Sequence, residues 1–166
     1  MKVKSVMNRQ VATCLSTDSL GAAAQIMWNK DCGVVPVVEP GSLRLLGVVT
    51  DRDLAMTALL SNRPADAVRV GDAMTKKIFT VREEDDVREA HDTMRGHQVR
   101  RVPVVDDEGR VTGIVTLNDL VREAFGTRAA AAARRQRECA RTLAAVSRHR
   151  GTSSDEEGPA PAAQAF

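Results

Sequence analysis

Aromatic residues are nearly missing from this sequence: one Trp, three Phe and no Tyr, 2% of 166 residues. A core must therefore be built from Val, Ile, Leu, Met and Ala, and the composition argues against an aromatic platform for stacking single-stranded nucleic acid. No run of about 18 apolar residues occurs, so no membrane-spanning helix is expected. The amino terminus, Met-Lys-Val-Lys-Ser-Val, turns polar at once, and no secretory signal is expected. Net charge is only +2, too little to point to nucleic acid. Cys14, Cys32 and Cys139 are odd in number, with no close pairing and no His at ligand spacing. They are read as reduced thiols of a cytoplasmic protein, with no metal site.

What the chain does have is an internal repeat. Met7 and Met74, Thr13 and Thr80, Asp18 and Asp85, Ala23 and Ala90, Met27 and Met94, and Pro36 and Pro103 all stand 67 apart. Beyond the prolines the offset becomes 66, as in Gly47 and Gly113, Thr50 and Thr116, Asp53 and Asp119, and Leu54 and Leu120. One extra residue in the turn after Val38 accounts for the slip. The reading is repeat one at 1–60, a linker at 61–67, repeat two at 68–125, an Arg/Ala-rich helix within 126–150 and a disordered tail at 151–166.

Each half follows one pattern. A polar start precedes apolar residues at helical spacing: Leu20, Ala23, Ala24 and Met27, or Val87, Ala90 and Met94. Two β-branched runs separated by a Gly-containing turn read as a hairpin. Pro36 and Pro103 suggest an edge or strand-start position for the first run. A second helix opens at Thr50 or Thr116. The unit is β-α-β-β-α, giving an α/β (α+β) fold in which two copies packed strand to strand would bury a shared core.

The informative motif is Gly-h-h-Thr-x-x-Asp, where h is apolar. It occurs as Gly47 to Asp53 and as Gly113 to Asp119. Glycine permits close approach of a ligand or a backbone. The Thr stands where a strand becomes a helix, so amides and a hydroxyl face an incoming phosphate. The Asp returns to the same face three residues on, and its carboxylate can accept the vicinal hydroxyls of a ribose. The same residues also read as a capping box with Asp for Glu, and the two readings are compatible.

These repeats, with Met-x5-Thr at the start, h-Pro-Val-Val in the middle and Gly-h-h-Thr-x-x-Asp at the end, resemble CBS repeats over residues 1–125. The stretch His97 to Asp106 is an especially typical piece. The whole resembles small stand-alone bacterial CBS-pair proteins, including the hypoxic-response type. The resemblance implies a Bateman module with two clefts related by a pseudo-twofold axis. One cleft would combine Thr116, Asp119, Ile114 and Arg101 with Gln10, Ala12, Gly33 and Val34. The other would combine Thr50, Asp53 and Val48 with Lys77, Phe79, Val99 and Arg100. It also implies a regulatory adenosyl ligand (AMP, ADP, ATP or S-adenosylmethionine), no required cofactor, and a homodimer formed through the helices as a flat disc.

No nucleophile–base pair, metal cluster or glycine-rich phosphate loop is visible, and no separate catalytic domain, so no enzyme activity is expected. His91 and His97 are assigned no ligand or catalytic role. Arg101 reads as a phosphate clamp or as a solvated strand residue. Its repeat-related residue is Val34, so the Asp119 cleft is expected to be the stronger adenylate site. Residues 128–150 carry seven Arg and one acidic residue, Glu138. This segment reads as a solvated helix with a thin apolar face of Leu143 and Val146, dispensable to a chain ending near Gly126. The competing reading is an interaction or stress-response protein with vestigial clefts, acting on an unidentified partner through its dimer surface and Arg-rich tail.

Overall fold

A computed structural model describes residues 1–126 and 132–148. The expected disordered tail at 151–166, with Arg128 and Arg150, lies outside the described residues. The first repeat runs β1 (Cys14–Leu15), α1 (Leu20–Lys30), β2 (Val34–Val38), β3 (Leu45–Thr50) and α2 (Asp51–Ser61). After a single helical turn, α3 (Val70–Ala73), the second runs β4 (Val81–Arg82), α4 (Val87–His97), β5 (Arg101–Val105), β6 (Val111–Thr116) and α5 (Leu117–Gly126). A last helix, α6 (Ala132–Val146), follows. The two sheets have the same order, β1-β2-β3 and β4-β5-β6, with a parallel and then an antiparallel pairing. The β-α-β-β-α unit and the mixed α/β class are as the repeat pattern implies.

Local chemistry explains the boundaries. Asp18 and Asp85, 67 apart in sequence, each accept a bond at 2.7 Å from the amide three residues back, Leu15 N or Arg82 N, and so hold the turn between strand and helix. Ser19 caps α1 by accepting from Ala22 N, and Asp86 caps α4 by accepting from Arg88 N. α1 and α4 end on left-handed residues, Asp31 and Gln98. The hairpin turns carry Gly41 and Gly109 at φ of 79° and 77°, a conformation that glycine adopts without steric cost.

The prolines do not mark an edge. Both β2 and β5 are the middle strands of their sheets. Pro36 pairs with Val48 and Pro103 with Ile114. Val48 turns its N–H and C=O to Thr75, and Ile114 turns its own to Asn8, so neither asks its proline for a donor. On the other side β1 and β4 begin their pairing only at Val37 and Val104, one residue past the proline. The missing N–H therefore costs the sheet nothing.

Nor is there one shared core. Two clusters form, and each is completed by a segment from the other half. Val3, from the leading arm, is fully buried in the cluster of Val81, Val87, Met94, Val102 and Leu120. Val68 and Val70 are buried with Leu20, Val35, Val49 and Leu54. Backbone bonds follow the same exchange: Val3 N to Asp85 O and Lys4 N to Glu83 O on one side, Val70 N to Asp18 O and Gly71 N to Ser16 O on the other. The isolated bridges Lys2–Asp86 and Arg69–Ser19 are repeat-related, as are Asn8–Ile114 and Thr75–Val48. The bridge Arg44–Arg110 maps onto itself and so marks the pseudo-twofold axis.

The last helix departs furthest from expectation. It packs against α4 and α5 rather than lying in solvent. Its buried residues are Cys139, Thr142 and Val146, at i, i+3 and i+7, while Leu143 is 51% exposed. Thr142 Oγ1 lies 2.8 Å from His91 Nδ1, Cys139 Sγ donates to Leu120 O, and Arg95 and Arg135 pair with Glu138 and Glu123. A face of Cys and Thr does not register as apolar in a sequence scan, yet it buries well against small neighbours.

Candidate ligand clefts

The Thr-x-x-Asp motifs are capping boxes in both repeats. Thr50 Oγ1 accepts from Asp53 N at 3.2 Å, and Asp53 Oδ2 accepts from Thr50 N at 2.9 Å and from Thr50 Oγ1 at 2.8 Å. Thr116 and Asp119 repeat this at 3.2, 2.9 and 2.6 Å. In each case the cap uses only Oδ2. Asp53 Oδ1 has no hydrogen bond among the described residues, and Asp119 Oδ1 has only exposed Arg122 at 3.6 Å. A carboxylate pinned through one oxygen presents the other as a fixed acceptor. Asp119 has 15% of its side chain exposed, so that acceptor is reachable but poorly hydrated.

The glycines of the motif serve the crossing arms. A Cβ on Gly113 would stand 2.8 Å from Met7 Sδ and 3.0 Å from Asn8 O. On Gly47 it would meet Met74 Sδ and Thr75 O, both at 2.9 Å. The close approach is by backbone, and the repeated methionines are what lies on the glycines.

In the first cleft Ile114 exchanges both backbone bonds with Asn8, 2.8 and 2.9 Å. This places the exposed Gln10 and half-buried Ala12 on the stretch between that bridge and β1. Thr116 is the register partner of Arg101. Gly33 lies against Arg101: a Cβ there would be 2.9 Å from Arg101 Nη2 and 2.7 Å from Asp51 Oδ2. Val34 follows in β2, buried and in register with Thr50. Gly33 and Asp51 of the first repeat thus stand beside Arg101 of the second.

The second cleft is built alike from Val48 and Thr75, bonded at 2.9 and 3.1 Å, with Lys77 and Phe79 between that bridge and β4. Phe79 is stacked on His97, ring centroids 3.4 Å apart and 5° from parallel. Val99 and Arg100 are not joined by a hydrogen bond to Thr50 or Asp53. Val99 packs on the second core, and Arg100 precedes β5, its carbonyl accepting from Leu117 N.

Four residues that sequence reasoning left out of the clefts lie here, His97 among them because it was assigned no ligand role. Asn8 and Thr75, 67 apart, were visible in the repeat arithmetic. Asp51 beside Arg101 and His97 on Phe79 were not, because neither has a like residue in the other repeat. Two of the thiols are poor nucleophiles: burial pushes Cys14 up to about 12 and raises Cys139 as well.

Comparison with known proteins shows the family and the fold. The CBS domain family matches residues 3–59 and again 70–126. Hypoxic response protein 1 of Mycobacterium tuberculosis is 34% identical over 119 residues, 72% of this chain and 82% of that protein. Its crystal structure, with two coordinated zinc ions, has a TM-score of 0.67 at 33% identity, covering 74% of this chain and 98% of that one. The CBS domain pair of protein MJ0100, in complex with 5′-methylthioadenosine and S-adenosyl-L-methionine, has a TM-score of 0.68 at 31% identity, covering 76% and 97%. CBSX2 in complex with AMP has a TM-score of 0.64 at 28% identity, covering 75% and 96%. With two matched repeats and exchanged arms completing both cores, the chain belongs to the CBS domain family, as a tandem pair.

Proposed function

We propose that this chain is a regulatory, non-catalytic module that takes an adenine nucleotide or S-adenosylmethionine in the clefts where one repeat's arm crosses the other's sheet. The observation that carries the reading is the duplicated cap, which pins Asp53 and Asp119 through one oxygen and leaves the other as an acceptor for ribose. The adenosyl ligands of MJ0100 and CBSX2 support it. The structure of the hypoxic response protein has two coordinated zinc ions; among the described residues of this chain no group of three His, Cys, Asp or Glu gathers to hold a metal. The proposal places the protein in the cytoplasm, where its three free thiols stay reduced.

Calorimetry with AMP, ADP, ATP and S-adenosylmethionine tests it. At least one should bind saturably, and Asp119→Ala should weaken it by about 1.5–3 kcal/mol, the scale of lost charge-assisted hydrogen bonds. Melting must be followed in parallel, because the lost cap itself costs about 1 kcal/mol. Absence of binding by all four would leave the clefts vestigial.

The same proposal includes a homodimer, with a changed interface. α6 covers the α4/α5 face, whereas among the described residues nothing covers the repeat-related α1/α2 face in this way. There Trp28 is 84% exposed, and Met56, Leu59 and Leu60 form one stripe of α2 at 45%, 76% and 75%. The second copy meets this face through its own, in place of a disc closed on both sides.

A further inference from the structure

α6 brings a second kind of site with it. On α6, Arg134, Arg137 and Arg141 recur at i, i+3 and i+7 and remain exposed. On α4, Arg88 and Arg95 stand two turns apart. With Asp92 and Glu138 these five arginines line a cavity of about 340 Å³ between the two helices, away from both Thr–Asp clefts. The two carboxylates are both engaged by one guanidinium, that of Arg95. Arg88, Arg134, Arg137 and Arg141 make no ion pair with any described residue. Five guanidiniums against two carboxylates leave the lining with a net charge of +3, and a net positive concavity raises the local concentration of anions.

We infer that this cavity is a binding site for a small anion carrying several phosphate groups, distinct from the adenosyl clefts. Several features choose the ligand class. The cavity has the volume of a small-molecule site, and no aromatic side chain lines it, which disfavours a stacked nucleic-acid base. Planar guanidiniums engage phosphate oxygens bidentately. A linear polyphosphate concentrates enough charge in that volume to meet four of them, which one carboxylate cannot. Because the arginines come from both α4 and α6, the ligand bridges the helices and holds α6 on the second repeat.

The test uses the full chain and inorganic tripolyphosphate, followed by calorimetry at low salt. Saturable binding is expected, at least about tenfold tighter than citrate at matched ionic strength. Arg137→Gln/Arg141→Gln should weaken it at least about tenfold; both residues are exposed and unpaired, so the fold is kept. Lys30→Gln/Arg44→Gln removes the same charge elsewhere and should leave affinity unchanged. Arg101→Ala should also leave it unchanged, which separates this site from the adenosyl cleft. The inference is overturned by absence of saturable binding, by equal loss in the two double variants, by citrate binding as tightly, or by loss in Arg101→Ala.

Discussion

Gly47 and Gly113 stand where each arm crosses the other repeat's sheet, and their lack of a side chain is a packing requirement. Gly113→Ala would push a methyl group onto a backbone oxygen 3.0 Å away and should cost about 1–3 kcal/mol of stability, the scale of overpacking. Gly96, near the end of α4, has nothing within 4 Å of a Cβ, so Gly96→Ala should gain up to about 1 kcal/mol. Urea denaturation of the two variants checks the contrast. Arg101 is the other residue whose environment decides a question. Its place beside Gly33 suits a phosphate clamp, but Asp51 stands near the same guanidinium and would compete with a phosphate for it. Arg101→Ala should therefore weaken AMP more than adenosine, while Asp51→Asn should strengthen AMP and leave adenosine unchanged. Equal effects on both ligands, measured by calorimetry, would mean that the pair shapes the cleft without reading phosphate.

Among the elements, α6 changes what the second repeat is. Its Cys139 and Val146 share a core cluster with Leu120 and Ala124, both 1% exposed, and its Thr142 meets His91, which is 4% exposed. A chain ending at Gly126 should thus lose on the order of 2–4 kcal/mol, contrary to the expectation that it would behave like the full protein. His91 supplies a second readout. Burial holds its pKa below the usual 6.5; Glu138, Asp92 and Glu123 oppose this, and Arg95 adds to it. A base whose folded pKa is depressed binds fewer protons folded than unfolded. Its contribution is complete above about 6.5 and is lost as pH falls from there toward the folded pKa. The full chain should melt at lower temperature as pH drops through this window. The chain without α6, with His91 open to water, should show no such slope. Parallel melting curves of the two chains decide it.

For the whole molecule, the repeats are alike in backbone and unlike in surface. Trp28 and Arg95 occupy equivalent positions. Arg95 is paired with Glu138 of α6, whereas Trp28 faces solvent. The α2 stripe of Met56, Leu59 and Leu60 has Arg122, Phe125 and Gly126 as its counterparts. Such a patch of large apolar side chains marks an interface. Sedimentation should find a dimer, and Leu59→Arg/Leu60→Arg should convert it to a folded monomer. A wild-type monomer, or a double variant that still dimerises, would overturn the assignment of this face.

The sequence by itself determined what is local. Each repeat's order of strands and helices, the turn-holding Asp18 and Asp85, and the Thr–Asp caps depend on neighbours within about four residues, where spacing and side-chain chemistry are readable. The duplication, visible as an offset of 67 and then 66, located the clefts in pairs. Tertiary structure alone decided what depends on contacts between distant residues. The exchange of arms joins Val3 to Asp85 and Val70 to Asp18, which no periodicity within a repeat records. Pro36 reads as an edge residue until Thr75 is seen to take both bonds of its partner Val48. The face of α6 that is buried was set by a partner, since Cys139 and Thr142 are apolar enough only against His91 and Leu120. The same docking left five arginines of α4 and α6 around one cavity, because a helix that buries one face must present the residues of the other to whatever lies beside it.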